Sequence, residues 1–156
     1  MSETSDGPKS QYLFDANATR CLYDPRESAS ANFRLTASLI AENGGYTTAW
    51  VVVHEMIRGI LVMAPRPPPR LLGPLDRLLR QAEVLGLDVN RWAVANQLFV
   101  ESRRAGRTIQ DRDLFVAATA FAHARTLVTL DAGLAENLRA LGYAERVRHV
   151  GHDATR

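Results

Sequence analysis

The sequence predicts an α/β fold: a three-layer α/β/α sandwich around a central parallel sheet of four to five strands. Three observations predict it. Short apolar runs, Gln11 to Phe14 and Thr126 to Leu130, have the length and β-former content of buried strands. Longer segments with helical periodicity separate the candidate strands. The chain has 156 residues, the length of one domain, and 46% of them are hydrophobic, enough for a sizeable core. Strands that alternate with helices need crossover connections, which make the strands parallel and cover both faces of the sheet.

The elements follow in order. Residues 1–10 read as a flexible polar tail, 11–150 as the single domain, and 151–156 as a C-terminal tail. The first strand ends at Asp15, and Asp24-Pro25 breaks the short helix after it. Ser28 or Ser30 caps a helix through about Glu42, which Asn43-Gly44-Gly45 closes. Tyr46 to Ala49 is a second strand, leading into a helix over Trp50 to Met63. Pro65, Pro67, Pro68 and Pro69 predict a stiff, non-helical connection. Helices are expected over Leu71 to Leu85 and Asn90 to Ala105, with a very short strand at Leu87 to Val89 between them. Gly106 stops the second of these helices, and Asp111 to Ala124 is an alanine-rich, buried helix. The strand at Thr126 to Leu130, a helix over Gly133 to Leu141 and a last strand over Arg146 to Val150 complete the domain.

Composition narrows the function classes. A lone cysteine, Cys21, cannot form an internal disulfide, and residues 1–10 lack the apolar core of a secretory signal. The longest apolar stretch, Ala49 to Ala64, is interrupted by His54, Glu55 and Arg58 and is too short to span a bilayer. A cytoplasmic protein without membrane contact is expected. Net charge is +2, but its distribution says more. If four acids form one site, the remainder carries 13 acidic residues (17 less those four) against 19 basic ones. A basic exterior around an acidic pocket suits a polyanionic substrate brought to a metal. All but Lys9 of the basic residues are arginine, which suits bidentate phosphate recognition and equally reflects a GC-rich coding bias.

In an open parallel sheet, functional groups gather at the carboxyl ends of the strands. Two strands here run into an aspartate, Phe14 into Asp15 and Leu130 into Asp131. A helix follows each, so either aspartate also suits an N-cap; as a pair they share one rim. Glu55 lies in an apolar helix, where a buried carboxylate needs a counter-charge or a metal. Arg58, three residues on, offers an ion pair instead. Asp113 stands in the first turn of the alanine-rich helix, where Asp111 suits the cap and leaves Asp113 for the rim. Four converging carboxylates repel strongly unless a cation neutralises them. The donor set is all oxygen, with no His or Cys at ligand spacing, which selects Mg²⁺ or Mn²⁺ over zinc.

The pieces together resemble the PIN-domain ribonucleases, and within them the VapC-like toxin branch. The resemblance is carried by Tyr12-Leu-Phe-Asp-Ala-Asn17, His54-Glu-Met-Ile-Arg-Gly59, Gly106-Arg-Thr-Ile-Gln-Asp-Arg-Asp-Leu-Phe-Val-Ala-Ala-Thr119 and Thr126-Leu-Val-Thr-Leu-Asp131, in that order over residues 11–150. It implies that Asp15, Glu55, Asp113 and Asp131 are catalytic metal ligands, with Asn17 and Thr129 supporting them through hydrogen bonds and Asp111 further out. It implies Mg²⁺-dependent hydrolysis of RNA phosphodiester bonds, a cognate antitoxin as partner, and a homodimer. Arg103, Arg104 and Arg107, just before Asp111, together with Arg112, are the candidate RNA contacts; the first three equally suit a solvated helix end, with cations at the C-terminal dipole. The opening motif departs from the family at Ala16, where a threonine is more usual. Haloacid-dehalogenase-like phosphatases and phospho-receiver domains need a core lysine that the chain lacks. A dinucleotide-binding domain needs a glycine-rich turn after the first strand, and Asp15 to Cys21 has no glycine. The rival from another class is a catalytically inactive PIN-like module that only binds RNA or protein.

Overall fold

In the first strand, β1 (Tyr12–Phe14), consecutive side chains enter opposite cores. Leu13 joins the larger hydrophobic cluster and Phe14 the smaller one, and both are fully buried. The pattern repeats in β4 (Thr126–Thr129), where Leu127 and Val128 divide the same way. A strand buried on both faces needs helices on both faces, and the chain supplies them. The computed structural model describes residues 11–24, 26, 30–63 and 69–151. The expected N-terminal tail, Ser28, Pro65, Pro67, Pro68 and residues 152–156 lie outside these.

The helices are α1 (Ala16–Tyr23), α2 (Ala31–Asn43), α3 (Trp50–Leu61), α4 (Pro69–Arg80), α5 (Trp92–Arg104), α6 (Asp111–Ala122) and α7 (Ala132–Leu138). With β2 (Thr47–Ala49), β3 (Glu83–Leu85) and β5 (Val147–His149), the strands form one five-stranded sheet in the order β3-β2-β1-β4-β5. Every pairing is parallel. This is the α/β architecture expected, at the upper end of the strand count.

Local chemistry explains most boundaries. Ser30 caps α2, its hydroxyl accepting from the Phe33 amide at 3.0 Å. Gly44 closes that helix with φ 73°, in the left-handed region glycine tolerates. Asn43 then ties the helix end to the sheet, its side-chain Oδ1 accepting from the Gln11 and Tyr12 amides at 2.6 and 2.9 Å.

Three expectations are corrected. Pro69 does not lie in a helix-free connection but opens α4, where the first turn has no use for its missing N–H. The third strand is not Leu87 to Val89, and the helix before it does not reach Leu85. It is Glu83–Leu85, in register with Thr47–Ala49 of β2. Val84 and Leu85 continue the apolar spacing of α4, so periodicity alone runs the helix on; the open edge of β2 decides otherwise. Nor is Asp111 the cap of α6. Gln110 holds that position without a side-chain hydrogen bond, and Asp111 is the first helical residue.

The topology also fixes where a site can be. β1 is flanked by β2 and β4, so the chain moves one way from β1 to β2 and then returns to the other side. The crevice of an open sheet lies where the order reverses, beyond the carboxyl ends of the two diverging strands. Here those are β1 and β4, the strands that run into Asp15 and Asp131. No helix among the described residues is long and apolar enough to cross a membrane.

Candidate metal centre

Asp15 follows β1 directly and is 7% exposed. Its amide donates to the Val128 carbonyl at 3.1 Å, so the backbone is pinned to β4 at the switch point. One carboxylate oxygen, Oδ1, accepts from the Ala18 amide at 2.9 Å and caps α1. The other, Oδ2, accepts a short hydrogen bond from the Thr129 hydroxyl. Capping and site geometry are therefore not alternatives. The cap orients the carboxylate, and each oxygen keeps a lone pair.

Thr129 joins two acids. Its hydroxyl donates to Asp15 and accepts from the Asp131 amide at 3.0 Å, and the side chain is fully buried. Asp131 in turn caps α7, Oδ1 accepting from the Leu134 amide at 3.0 Å. Beneath this rim lies a polar layer that the sequence reading did not single out. Thr19 donates to the Asp15 carbonyl at 2.7 Å and meets the Tyr46 hydroxyl at 2.6 Å, while Thr48 donates to the Phe14 carbonyl at 2.8 Å. Tyr46 and Thr48 stand in the second predicted strand, but nothing local marks them, or Thr19 inside α1, as partners of the rim.

Glu55 and Asp113 arrive from helices α3 and α6. Arg112 bridges them, with Nη1 at 2.8 Å from Glu55 Oε1 and Nε at 3.5 Å from Asp113 Oδ1. The ion-pair partner of Glu55 is thus Arg112, 57 residues away, rather than Arg58 on the same helix. The second oxygen, Glu55 Oε2, is buried with no hydrogen-bond partner. A buried carboxylate oxygen without a donor is costly, and a cation satisfies it.

All four acids line one narrow cleft of about 20 Å³, together with Ala16, Asn17, Arg112, Val116 and Leu134. That is room for a water or a single ion. Burial pushes the Asp15 carboxyl up from 3.8 to about 6, against the hydrogen bonds from Thr129 and Ala18, with the charges of Asp113 and Asp131 adding to the rise. Burial also raises Asp113, opposed by Arg112 and reinforced by Asp131. Glu55 is raised by burial, opposed by Arg112 and reinforced by Asp113. Three carboxylates that resist ionisation and repel one another make a cleft that favours an added positive charge.

The donor set suits a hard divalent cation, because every candidate ligand is a carboxylate oxygen. Among the described residues, no three acidic, histidine or cysteine side chains already cluster as a ready-made metal cage. Arg112 meanwhile supplies part of the counter-charge. Asn17 lines the cleft but its side chain makes no hydrogen bond to the four acids, and Asp111 does not reach the cleft. Of the four candidate RNA contacts only Arg112 borders it. Arg107 donates to Asn137 at 2.9 Å, and Arg103 lies over the Phe99 ring at 5.2 Å.

Comparison with known proteins bears on the fold and the family. No curated protein sequence matches the chain. Among solved structures it is similar to VapBC2 from Rickettsia felis bound to a fragment of its promoter DNA, with 18% identity over 88% of this chain and 97% of that one and a TM-score of 0.66. It is also similar to FitAB bound to the IR36 DNA fragment, with 21% identity over 91% and 99% and a TM-score of 0.67. A third is VapBC-5 from Mycobacterium tuberculosis, a member of the VapBC family of toxin–antitoxin systems, with 24% identity over 70% and 83% and a TM-score of 0.56. At these identities the likeness is one of fold. The sequence itself goes further: residues 12–138 match the PIN domain, a stretch that holds all four acids, and the chain belongs to that family.

Proposed function

We propose that this protein is a metal-dependent endoribonuclease that uses Mg²⁺, with Mn²⁺ as a substitute, and acts as the toxin of a type II toxin–antitoxin pair. The observation that carries the reading is the convergence of Asp15, Glu55, Asp113 and Asp131 on one cleft at the switch point of the sheet. These four carboxylates would hold the ion. When bound, a divalent cation at such a site supplies charge for the scissile phosphate and lowers the pKa of water.

The rest falls to the chain's own groups. Thr129 and the α1 amide of Ala18 fix the Asp15 carboxylate, so one ligand direction is set before any ligand arrives. Asp131 is held by its own cap at α7. Arg112, on the edge of the cleft, is placed to meet a phosphate oxygen when Glu55 and Asp113 turn to a cation.

The fold's likeness to VapBC structures supports an antitoxin as partner, and self-association of the toxin is part of the same reading. Large apolar side chains left open on the surface, Trp50 at 62%, Leu61 at 64% and Val89 at 88% exposure, give such partners something to cover. The test is cleavage of a structured RNA with and without Mg²⁺. Asp15→Ala and Asp113→Asn are each expected to lower the rate by more than about 100-fold, exceeding what loss of an outer-shell group costs. Metal-independent cleavage, or either variant retaining the wild-type rate, sinks the assignment and favours a module that binds without cutting.

A further inference from the structure

The two strands beside β1 hold it unequally. With β4 the register runs over three pairs, from Tyr12 with Thr126 to Phe14 with Val128, and the Asp15 amide extends it to the Val128 carbonyl. With β2 it is the single pair Phe14 with Thr48. Where that ladder is short, hydroxyl groups take over. The Phe14 carbonyl accepts from the Thr48 hydroxyl at 2.8 Å, and the Asp15 carbonyl accepts from the Thr19 hydroxyl at 2.7 Å. Two consecutive carbonyls, at the point where β1 turns into α1, are thus held by side chains.

A threonine that bonds the carbonyl four residues back is ordinary in a helix. Its partner here is not. Tyr46, just before β2, meets the same hydroxyl at 2.6 Å, and both residues are buried. A hydroxyl has one hydrogen, and that of Thr19 goes to Asp15, so Tyr46 donates. The phenol also faces Thr48, whose hydrogen goes to Phe14. Tyr46 is itself well fixed. Its carbonyl accepts from the Glu83 amide of β3 at 2.9 Å, and its ring lies 5.9 Å from that of Phe14 in the smaller apolar cluster. A phenylalanine would fill that site with no polar group to satisfy, whereas a buried hydroxyl is costly without a partner.

We propose that Tyr46 is a positioning residue for the metal centre: its phenol, through Thr19, anchors the Asp15 peptide to β2 and so aims the Asp15 carboxylate. This rests on the metal-dependent reading above. Chained hydrogen bonds polarise one another, so the Tyr46 bond strengthens the Thr19 bond that it feeds. β4 and Thr129 hold Asp15 from one side, and Tyr46 holds it from the other.

The experiment uses the full chain with Tyr46→Phe, Thr19→Val and Thr19→Ser. Tyr143→Phe is the control, since it removes a phenol that bonds Glu101 and does not line the cleft. Thermal melting should show both phenol variants folded and about 2–4 °C less stable, the loss of one hydrogen bond. Mn²⁺ affinity, read by calorimetry, should fall about fivefold in Tyr46→Phe and stay at the wild-type value in Tyr143→Phe. Thr19→Val should weaken it at least as much, Thr19→Ser should keep it, and Tyr46→Phe should add nothing once Thr19 is valine. In the metal-free protein the Ala18 amide, bonded to Asp15 Oδ1, should exchange its hydrogen faster in Tyr46→Phe.

Unchanged Mn²⁺ affinity in a folded Tyr46→Phe protein overturns the proposal. So does an equal loss in Tyr143→Phe, or a Tyr46→Phe loss that persists beside Thr19→Val. Should Tyr46→Phe not fold, equal affinity in Thr19→Val and Thr19→Ser overturns it instead. If not even wild type binds Mn²⁺, yet Ala18 exchanges faster in Tyr46→Phe and not in Tyr143→Phe, the positioning stands and the metal assignment fails. If that exchange is also unchanged, both fail.

Discussion

The two sides of the cleft hold their acids in opposite ways. On the sheet side, Asp15 is nearly fully buried, both its oxygens accept hydrogen bonds, and its backbone is tied to β4. On the helix side, Glu55 and Asp113 are half-buried, share one arginine, and leave Glu55 Oε2 without a donor. The difference teaches how such a cleft tolerates its charges. The sheet side is preorganised by neutral donors and accepts a desolvated carboxylate. The helix side is neutralised by a tethered cation, Arg112, which the proposed function has give way to a metal ion. One side sets a direction; the other adjusts.

The largest expected effect tests the burial of Asp15. Its carboxyl titrates near 6 in the folded protein against 3.8 ordinarily, so the native state binds the proton more tightly than the unfolded chain. The contribution is therefore favourable below about pH 4, falls as pH rises from 4 to 6, and is fully lost above 6. Two pH units correspond to roughly 3 kcal/mol. Chemical denaturation in EDTA should show this loss for wild type, and Asp15→Asn should remove it. Added Mg²⁺ should recover stability more at pH 7.5 than at pH 5, because the ion needs the ionised acid. Equal pH slopes for wild type and variant would show that Asp15 is not the strained group.

A smaller effect is expected at Thr129. Thr129→Val keeps the shape but removes the donor to Asp15 and the acceptor for the Asp131 amide, at a cost of about 1–3 kcal/mol in stability. Activity should fall by about 10–100-fold, the range for losing an orienting partner of a metal ligand. A variant as active as wild type would mean that the sheet side is not preorganised through this hydroxyl.

The smallest is expected at Arg112, because the arginine is half-exposed. Arg112→Gln should change stability by less than about 1 kcal/mol. By the same measure Mn²⁺ binding, followed by calorimetry, should tighten by no more than about fivefold, as a competing cation is withdrawn. Weaker Mn²⁺ binding would reverse the picture and make Arg112 a support of the ligand set.

Part of this was legible along the chain and part was not. An apolar run that stops at an aspartate announces a strand end at the rim, so β1 with Asp15 and β4 with Asp131 could be read directly. The caps at Ser30 and Gly44 are local: a hydroxyl that reaches an amide three residues on, and a missing side chain that lets the backbone turn left-handed. β3 could not be read, because Val84 and Leu85 fit helical spacing and strand alternation alike. Likewise, the partner of Glu55 looked local, at Arg58, until α6 brought Arg112 alongside.

What the sequence determined by itself, then, are the features set by neighbours in the chain: alternation of strands and helices, their caps, and the four acids in their order. Tertiary structure decided which edge accepts a third strand, which arginine faces Glu55, and that one threonine serves two acids. The physical reason is range. Capping and periodicity act over a helical turn, whereas ion pairing, desolvation and strand register depend on groups that only the packed sheet brings within a few ångströms.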